Sequence, residues 1–291
     1  MHVLEMMGST GMFVTDKLVF IELHKTGGTH ICTMLNRLVG GQQQGKHNRL
    51  DERYKGRFIL GSVRNPWDWY VSLWAYGCGG EGSVRIQTTR RYDLSYYRRQ
   101  LPKEMGIKML GLSRLSRQIS SDISKPVSRW QWCYEDYEDP DRFRAWLHLL
   151  LDSDRYHDIG EGFGFSPISN QFGLLTYRYF KLFTDIGQEL YSSRRLATLG
   201  GLGSAWDRYS YMDYIIRNEK LEEDFSSALE AAGIDLTPAQ QEQLTEGQGK
   251  KINTSRRNET SFYYDSETSK LVADRERFII ERHQYQEPEL T

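Results

Sequence analysis

The stretch LVFIELHKTGGTHICTMLNRLV, residues 18–39, is the part of the chain that best predicts its fold. It begins with a short apolar run at 18–23, which is typical of a buried strand. A glycine-bearing loop, HKTGGTH at 24–30, comes next. Apolar residues then recur at helical spacing until a pair of glycines at 40–41 ends the pattern. The predicted order is therefore strand, glycine loop, helix.

A second unit of the same kind follows. FILGSV at 58–63 predicts another strand, and Pro66 suits the first turn of a helix that Asn65 would cap. Two strand–turn–helix units in succession predict an α/β fold with a central parallel sheet. Ligands of such sheets bind at the carboxyl ends of the strands, where both turns lie.

The rest of the chain is expected to belong to the same domain, residues 1–291, with 78–165 as a helical insertion. Residues 81–130 carry 11 basic and 4 acidic side chains, a change in character from the preceding part. Apolar spacing predicts a strand at 214–216, followed by a turn and a helix that ends at Gly233. It also predicts helices within 94–119 and at 143–151 and 238–244, one helix at 266–285, and either a strand or a short helix at 179–186.

Composition excludes several classes of protein. Of the 291 residues, 38% are hydrophobic and 26% charged, which is enough to form a core. The net charge of −1 argues against a nucleic-acid binder, and no apolar run reaches the length of a membrane span. Cys32, Cys78 and Cys133 form no C-x-x-C pair, so we expect free thiols, no zinc site and a cytoplasmic location.

The first loop has the composition of an anion-binding turn. Backbone N–H groups at a helix N-terminus attract anions, and Gly27 and Gly28 would let a phosphate approach them. Lys25 adds a positive charge, while Thr26 and Thr29 add hydroxyl donors. The loop is not a Walker A sequence, because the lysine precedes the glycines. The alternative is a tight turn with an exposed lysine.

The second loop places Arg64 at the end of its strand, where a guanidinium can bind a phosphate through two N–H groups. Ser72 lies about two helical turns further on. Two anion-binding loops at neighbouring strand ends predict a ligand with two separated anionic groups, such as a nucleotide phosphorylated at its 5′ and 3′ ends. The alternative is that Arg64 pairs with Asp68.

These two segments resemble a known family. VFIELHKTGGTHI (19–31) resembles the 5′-phosphosulfate loop of sulfotransferases that use 3′-phosphoadenosine 5′-phosphosulfate (PAPS), of the bacterial and Golgi carbohydrate type. SVRNPWDWYVSLW (62–74) resembles their 3′-phosphate motif. Weaker similarity lies in KHNRL (46–50), RNEKLEEDFSSAL (217–229) and NTSRR…FYYDSETSKLV (253–272). Residues 78–165 match little beyond FRAWLHLLL.

The resemblance implies a P-loop-like three-layer α/β/α fold. It also implies transfer of the sulfonate of PAPS to a hydroxyl of a carbohydrate or small-molecule acceptor, with 3′,5′-ADP as the product. The residues that it assigns to the 5′-phosphosulfate are Lys25, Thr26, Gly27, Gly28, Thr29 and His30. It assigns Arg64 and Ser72 to the 3′-phosphate, over which a loop with Lys250, Lys251, Arg256 and Arg257 would close. His24 departs from the proline common at this position in the family.

The expected mechanism is in-line attack on sulfur, with Lys25 stabilising the charge that grows on the leaving oxygen. The acceptor must lose a proton to a base. His47 is the expected base because it resembles a histidine with that role in related enzymes, and His24 and Glu22 are the alternatives. No metal is expected. The competing hypotheses are a nucleotide-dependent phosphotransferase and a non-catalytic nucleotide-binding module.

The segment 78–165 is expected to form the acceptor pocket. Its basic side chains would either attract an anionic acceptor or form a solvated helical face.

Overall fold

The central sheet has five strands. The computed structural model describes residues 12–45, 49–91, 110–246 and 257–290. The strands are β1 (Met12–Val14), β2 (Leu18–Ile21), β3 (Gln42–Gln44), β4 (Phe58–Val63) and β5 (Tyr214–Arg217). Their order across the sheet is β3-β1-β2-β4-β5.

The sheet is mixed, which corrects the prediction of a parallel sheet. β2, β4 and β5 run parallel, as predicted, but β1 is antiparallel to both β2 and β3. The reason is the short connection between β1 and β2, because strands joined by a tight turn pair antiparallel. The α/β class itself is confirmed.

Fourteen α-helices lie within the described residues. They are α1 (Gly28–Leu38), α2 (Pro66–Cys78), α3 (Ser83–Thr89), α4 (Leu110–Ser124), α5 (Val127–Cys133), α6 (Pro140–Leu151), α7 (Leu174–Phe183), α8 (Glu189–Ser192), α9 (Leu199–Tyr209), α10 (Leu221–Ala231), α11 (Pro238–Glu246), α12 (Thr260–Tyr263), α13 (Ser266–Arg275) and α14 (Arg277–His283). The segment 179–186, which allowed two interpretations, thus begins in a helix. The single helix predicted at 266–285 is divided into two, α13 and α14.

Helices cover both faces of the sheet. Alternate side chains of β2 point to opposite faces, as in any strand. Leu18 and Phe20 pack with apolar residues of α1 and α10. Val19 and Ile21 belong to a larger core that contains the tryptophans of α2 and side chains of α5, α6 and α7. The described part of the segment 78–165 therefore shares a core with the sheet.

The register of the parallel strands fixes the position of the two loops. Ile21 of β2 is paired with Gly61 of β4, and Val63 of β4 with Arg217 of β5. The chain leaves β2, β4 and β5 at the same edge of the sheet. The segments that begin at residues 22, 64 and 218 therefore lie next to one another.

Candidate functional site

The backbone of the first loop turns sharply between β2 and α1. Lys25 and Gly27 both have left-handed φ angles, 63° and 82°. A Cβ on Gly27 would lie 2.6 Å from Oδ1 of Asn218, and one on Gly28 would lie 2.4 Å from the side chain of Glu22. A side chain at 27 would be strained by the backbone conformation, and one at 28 would force the buried Glu22 side chain to move.

α1 follows Gly27, an N-cap residue that has no side chain with which to bond the first turn. The first turn contains no acidic residue. The first N–H groups of a helix have no partner within the helix, and the helix dipole makes this end attractive to an anion. Thr29 is exposed here, and Nε2 of His30 lies 3.8 Å from Glu222. The first loop thus makes a left-handed turn at Gly27 and leads directly into the N-terminus of α1.

Thr26 has a structural role that the sequence did not predict. Its side chain is fully buried, its hydroxyl donates to the carbonyl of Leu23 at 2.8 Å, and it lies 2.7 Å from Oγ of Ser62. Since a hydroxyl has one proton to donate, this group connects the loop to β4 instead of facing a phosphate.

The variant Thr26→Val should lower the free energy of unfolding by about 2 kcal/mol, because it leaves buried partners without their hydrogen bonds. Urea unfolding measures this change. Thr29→Val, at an exposed position in the same loop, is the control and should change the free energy by less than about 0.5 kcal/mol. Equal effects of the two variants would contradict the buried role of Thr26.

Arg64 and Lys25 lie together, as predicted. Nη1 of Arg64 is 3.3 Å from the carbonyl oxygen of Lys25. Arg64 also pairs with Asp68, at 2.6 Å from Nε and 2.5 Å from Nη2 to the same Oδ2. The salt bridge considered as the alternative is therefore present. It occupies one edge of a guanidinium that has five N–H donors.

Asp68 connects Arg64 to a distant part of the chain. Its Oδ1 accepts from Nη2 of Arg257 at 2.5 Å and from the hydroxyl of Thr260 at 2.6 Å. Burial would raise the pKa of the Asp68 carboxyl, but the charges of Arg64 and Arg257 lower it below its ordinary value. Asp68 is thus an ionised carboxylate that holds two arginines at one place.

Lys25 is the third cation of this group. Its Nζ lies 4.0 Å from the centre of the Tyr76 ring. Burial, followed by the charges of Arg64 and Arg257, lowers the pKa of Lys25 from 10.5 to about 8. Lys25, Arg64 and Arg257 thus bring positive charges from three segments of the chain to the end of the sheet at which the parallel strands finish.

Ser72 lies on the helical face that borders these cations. Residues four apart on a helix share a face. Asp68 and Tyr76, which flank Ser72 at this spacing, contact Arg64 and Lys25 respectively. Ser72 is 4% exposed.

Of the three candidate bases, the structure describes Glu22 and His24 but not His47. His47 falls outside the described residues, as do Lys250, Lys251 and Arg256. Glu22 is buried beside Gly28, and His24 is half-buried.

Two clefts in the described part of the chain lie away from this loop. One, of about 690 Å³, is lined by Trp206, Arg282 and the beginning of β5. The other, of about 670 Å³, contains Lys17 and Arg57. Neither includes Lys25 or Arg64. The candidate site is therefore defined by converging charged groups and not by these cavities.

Two kinds of feature are absent from the described residues. None of the helices there has the length and apolar character to cross a bilayer. No three histidine, cysteine, aspartate or glutamate side chains in the same residues are grouped as metal ligands.

Comparisons with family models, with curated proteins and with solved structures gave no match to this chain. The family resemblance therefore depends on the sequence motifs alone.

Proposed function

We propose that this chain is a PAPS-dependent sulfotransferase with a P-loop-like three-layer α/β/α fold. The observation that carries the proposal is the convergence of Lys25, Arg64 and Arg257 beside the N-terminus of α1. A ligand with one anionic group at the N-terminus of α1 and another at the two arginines would use all these donors. An adenosine phosphorylated at its 5′ and 3′ ends is such a ligand.

In this proposal the α1 loop and Lys25 bind the 5′-phosphosulfate, and Arg64, Arg257 and Ser72 bind the 3′-phosphate. Asp68 takes one edge of Arg64 and leaves other N–H donors of the two arginines for the phosphate. The sulfonate passes to a hydroxyl of a carbohydrate or small molecule, which the segment 78–165 helps to bind. Free thiols at Cys32, Cys78 and Cys133 favour a reducing compartment such as the cytoplasm.

The proposal is tested by titrating the purified chain with 3′,5′-ADP, 3′-AMP and 5′-AMP in EDTA, and by measuring turnover of labelled PAPS on an acceptor panel. We expect 3′,5′-ADP to bind more tightly than either monophosphate, and PAPS to be turned over without a divalent cation. Equal affinities would contradict the two-phosphate site. Magnesium-dependent transfer from ATP would support the phosphotransferase, and binding without turnover would support the non-catalytic module.

The lowered pKa of Lys25 predicts a pH dependence of nucleotide binding. The ammonium form, which attracts the 5′-phosphate, predominates below pH 8 in the free protein and is lost as the pH rises through that value. The affinity for 3′,5′-ADP should therefore fall between about pH 8 and 10, with proton uptake on binding in this range. Calorimetry in buffers of different ionisation enthalpy measures both. The variant Lys25→Met should abolish the uptake, and uptake that persists would assign it to another group.

A further inference from the structure

Within the described residues, the ammonium of Lys25 lies against an aromatic ring and forms no salt bridge with a carboxylate. Its Nζ is 4.0 Å from the centre of the Tyr76 ring. The charges that act on this ammonium, those of Arg64 and Arg257, are both positive. The negative face of an aromatic ring attracts a cation, whereas the two guanidinium groups repel it. In the described part of the chain, the attraction that holds Lys25 in place is therefore that of Tyr76.

Tyr76 lies on the side of α2 that borders the two loops. It follows Asp68 by eight residues, so both project from one side of the helix, about 12 Å apart along its axis. Asp68 binds Arg64 and Arg257 at one end of this face, and Tyr76 contacts Lys25 at the other. The carbonyl oxygen of Lys25 is 3.3 Å from Nη1 of Arg64. The Lys25 side chain therefore extends from the arginines toward the end of α2.

The turn that ends α2 packs against the Tyr76 ring. The N–H of Glu81 donates to the carbonyl of Tyr76 at 3.2 Å. A Cβ on Gly82 would lie 3.1 Å from Cδ1 of the ring, so the backbone of this turn is in close contact with it. Tyr76 is nevertheless 38% exposed, and Lys25 is half-buried. The ring is thus supported from the turn while a ligand can still reach the ammonium.

An aromatic partner suits a lysine that has to act on an anion. A carboxylate would bind an ammonium more strongly, but it would also neutralise the charge and occupy N–H donors. A ring has no net charge, so the positive charge of Lys25 remains available to a phosphosulfate. Lys25 also has a left-handed φ of 63°, and backbone strain of this kind is concentrated at functional sites. Both features indicate a side chain that is placed for a ligand.

We propose that Tyr76 is the positioning residue of Lys25 and keeps its ammonium in place for the bridging oxygen of the phosphosulfate. This inference rests on the proposed function. In hydrolysis by water, the simplest form of the reaction, the water oxygen bonds to sulfur and its protons pass to the solvent. The bond from sulfur to the bridging oxygen breaks, and its electron pair leaves with the 5′-phosphate. A cation that is in place before this step stabilises the growing charge without reorganising.

Two variants separate the effect of the ring from that of its hydroxyl. Tyr76→Leu keeps an apolar side chain beside Lys25 but removes the ring, whereas Tyr76→Phe keeps the ring. Single-turnover hydrolysis of labelled PAPS, with enzyme in excess, should be about 5- to 30-fold slower in Tyr76→Leu, as expected for loss of a partly desolvated contact between a cation and a ring. Tyr76→Phe should match the wild type. The affinity for 3′,5′-ADP should change much less than the rate, because the two arginines and the N-terminus of α1 remain.

An NMR titration of the Lys25 ammonium in the free protein tests the contact itself. The ring favours the charged form, so removal of the ring should lower the pKa of Lys25. We expect a midpoint at about pH 8 in the wild type and in Tyr76→Phe. The midpoint should be roughly one pH unit lower in Tyr76→Leu. The ring should also shift the ε-CH₂ protons of Lys25 upfield, a signature that the wild type shows without any variant.

The other titratable groups around the first loop are the same in all these proteins, so they do not cause the shift. They are Glu22 and His24 of the loop, His30 of α1, Arg64 and Asp68, Glu81 after α2, Glu219 and Glu222 after β5, and Arg257 before α12. Tyr209→Leu is the matched control. Tyr209 also has a cation over its ring, Arg208 at 5.0 Å, but its hydroxyl donates to Glu189, outside the two loops. This variant should leave both the rate and the Lys25 midpoint unchanged.

Equal rates in Tyr76→Leu and Tyr76→Phe, in a chain whose wild type hydrolyses PAPS, overturn the positioning role and leave the sulfotransferase standing. A Lys25 midpoint that is unchanged or raised in Tyr76→Leu has the same meaning, as do ε-CH₂ protons without an upfield shift or an equal effect of Tyr209→Leu. If Tyr76→Leu does not fold, Tyr76→Met removes the ring at a similar volume and should give the same changes. A wild-type chain that neither binds 3′,5′-ADP nor turns over PAPS refutes the sulfotransferase itself, and with it this role of Tyr76.

Discussion

Lys25→Ala should slow sulfonate transfer by about 10²–10³-fold. Negative charge grows on the oxygen that bridges sulfur and the 5′-phosphate as the bond between them breaks. Lys25 belongs to the loop that would hold this group, and its ammonium is fixed over the Tyr76 ring. A cation that is already in place stabilises the transition state without reorganising, so its removal is costly.

The same variant should change 3′,5′-ADP affinity much less than the rate, because Arg64, Arg257 and the N-terminus of α1 remain. Single-turnover rates with labelled PAPS and calorimetric titration with 3′,5′-ADP separate the two effects. Lys55→Ala is the control, since Lys55 is an exposed lysine that pairs with Glu52 and Asp185. Unchanged turnover in Lys25→Ala would remove Lys25 from the mechanism.

The sequence predicts the strands that carry the site, but it does not predict β1 and β3, which form the other side of the sheet. β2 and β4 are apolar runs bounded by turn residues, and parallel neighbours necessarily end at the same edge. This is why Lys25 and Arg64 could be expected together. β3 is the sequence Gln42–Gln44, which has no apolar pattern and is a strand only because it pairs with β1. A strand that forms through backbone pairing alone has little apolar pattern from which the sequence could predict it.

The connections between distant segments could not be predicted from the residues. Arg257 is one of four basic residues in its loop region, and the sequence gives no reason to choose among them for the 3′-phosphate. Arg257 is identified because Asp68 accepts from it and from Thr260, which lies 192 residues further along the chain. Glu161 lies in a segment that predicted only a loop, yet its carboxylate pairs with Arg178 of α7. Periodicity describes one element at a time, whereas these contacts are made by packing between elements.

Arg64→Ala should weaken 3′,5′-ADP binding by about 1.5–3 kcal/mol, the usual contribution of a hydrogen bond to a charged group. This corresponds to an increase in Kd of roughly 10- to 150-fold. The fold should be retained, because Asp68 keeps Arg257 and Thr260 as partners. Arg53→Ala, at an exposed arginine paired with Asp51, is the matched control and should leave Kd unchanged.

The affinities of the Arg64→Ala variant for 3′,5′-ADP, 3′-AMP and 5′-AMP show which phosphate Arg64 binds. If Arg64 binds the 3′-phosphate, the variant should lose affinity for 3′,5′-ADP and 3′-AMP while 5′-AMP binds as it does to the wild type. A loss confined to 5′-AMP and 3′,5′-ADP would place Arg64 at the 5′ end, beside Lys25, whose carbonyl it contacts. Unaltered affinity for all three would mean that Asp68 fully occupies Arg64, and that the salt bridge is the whole of its role.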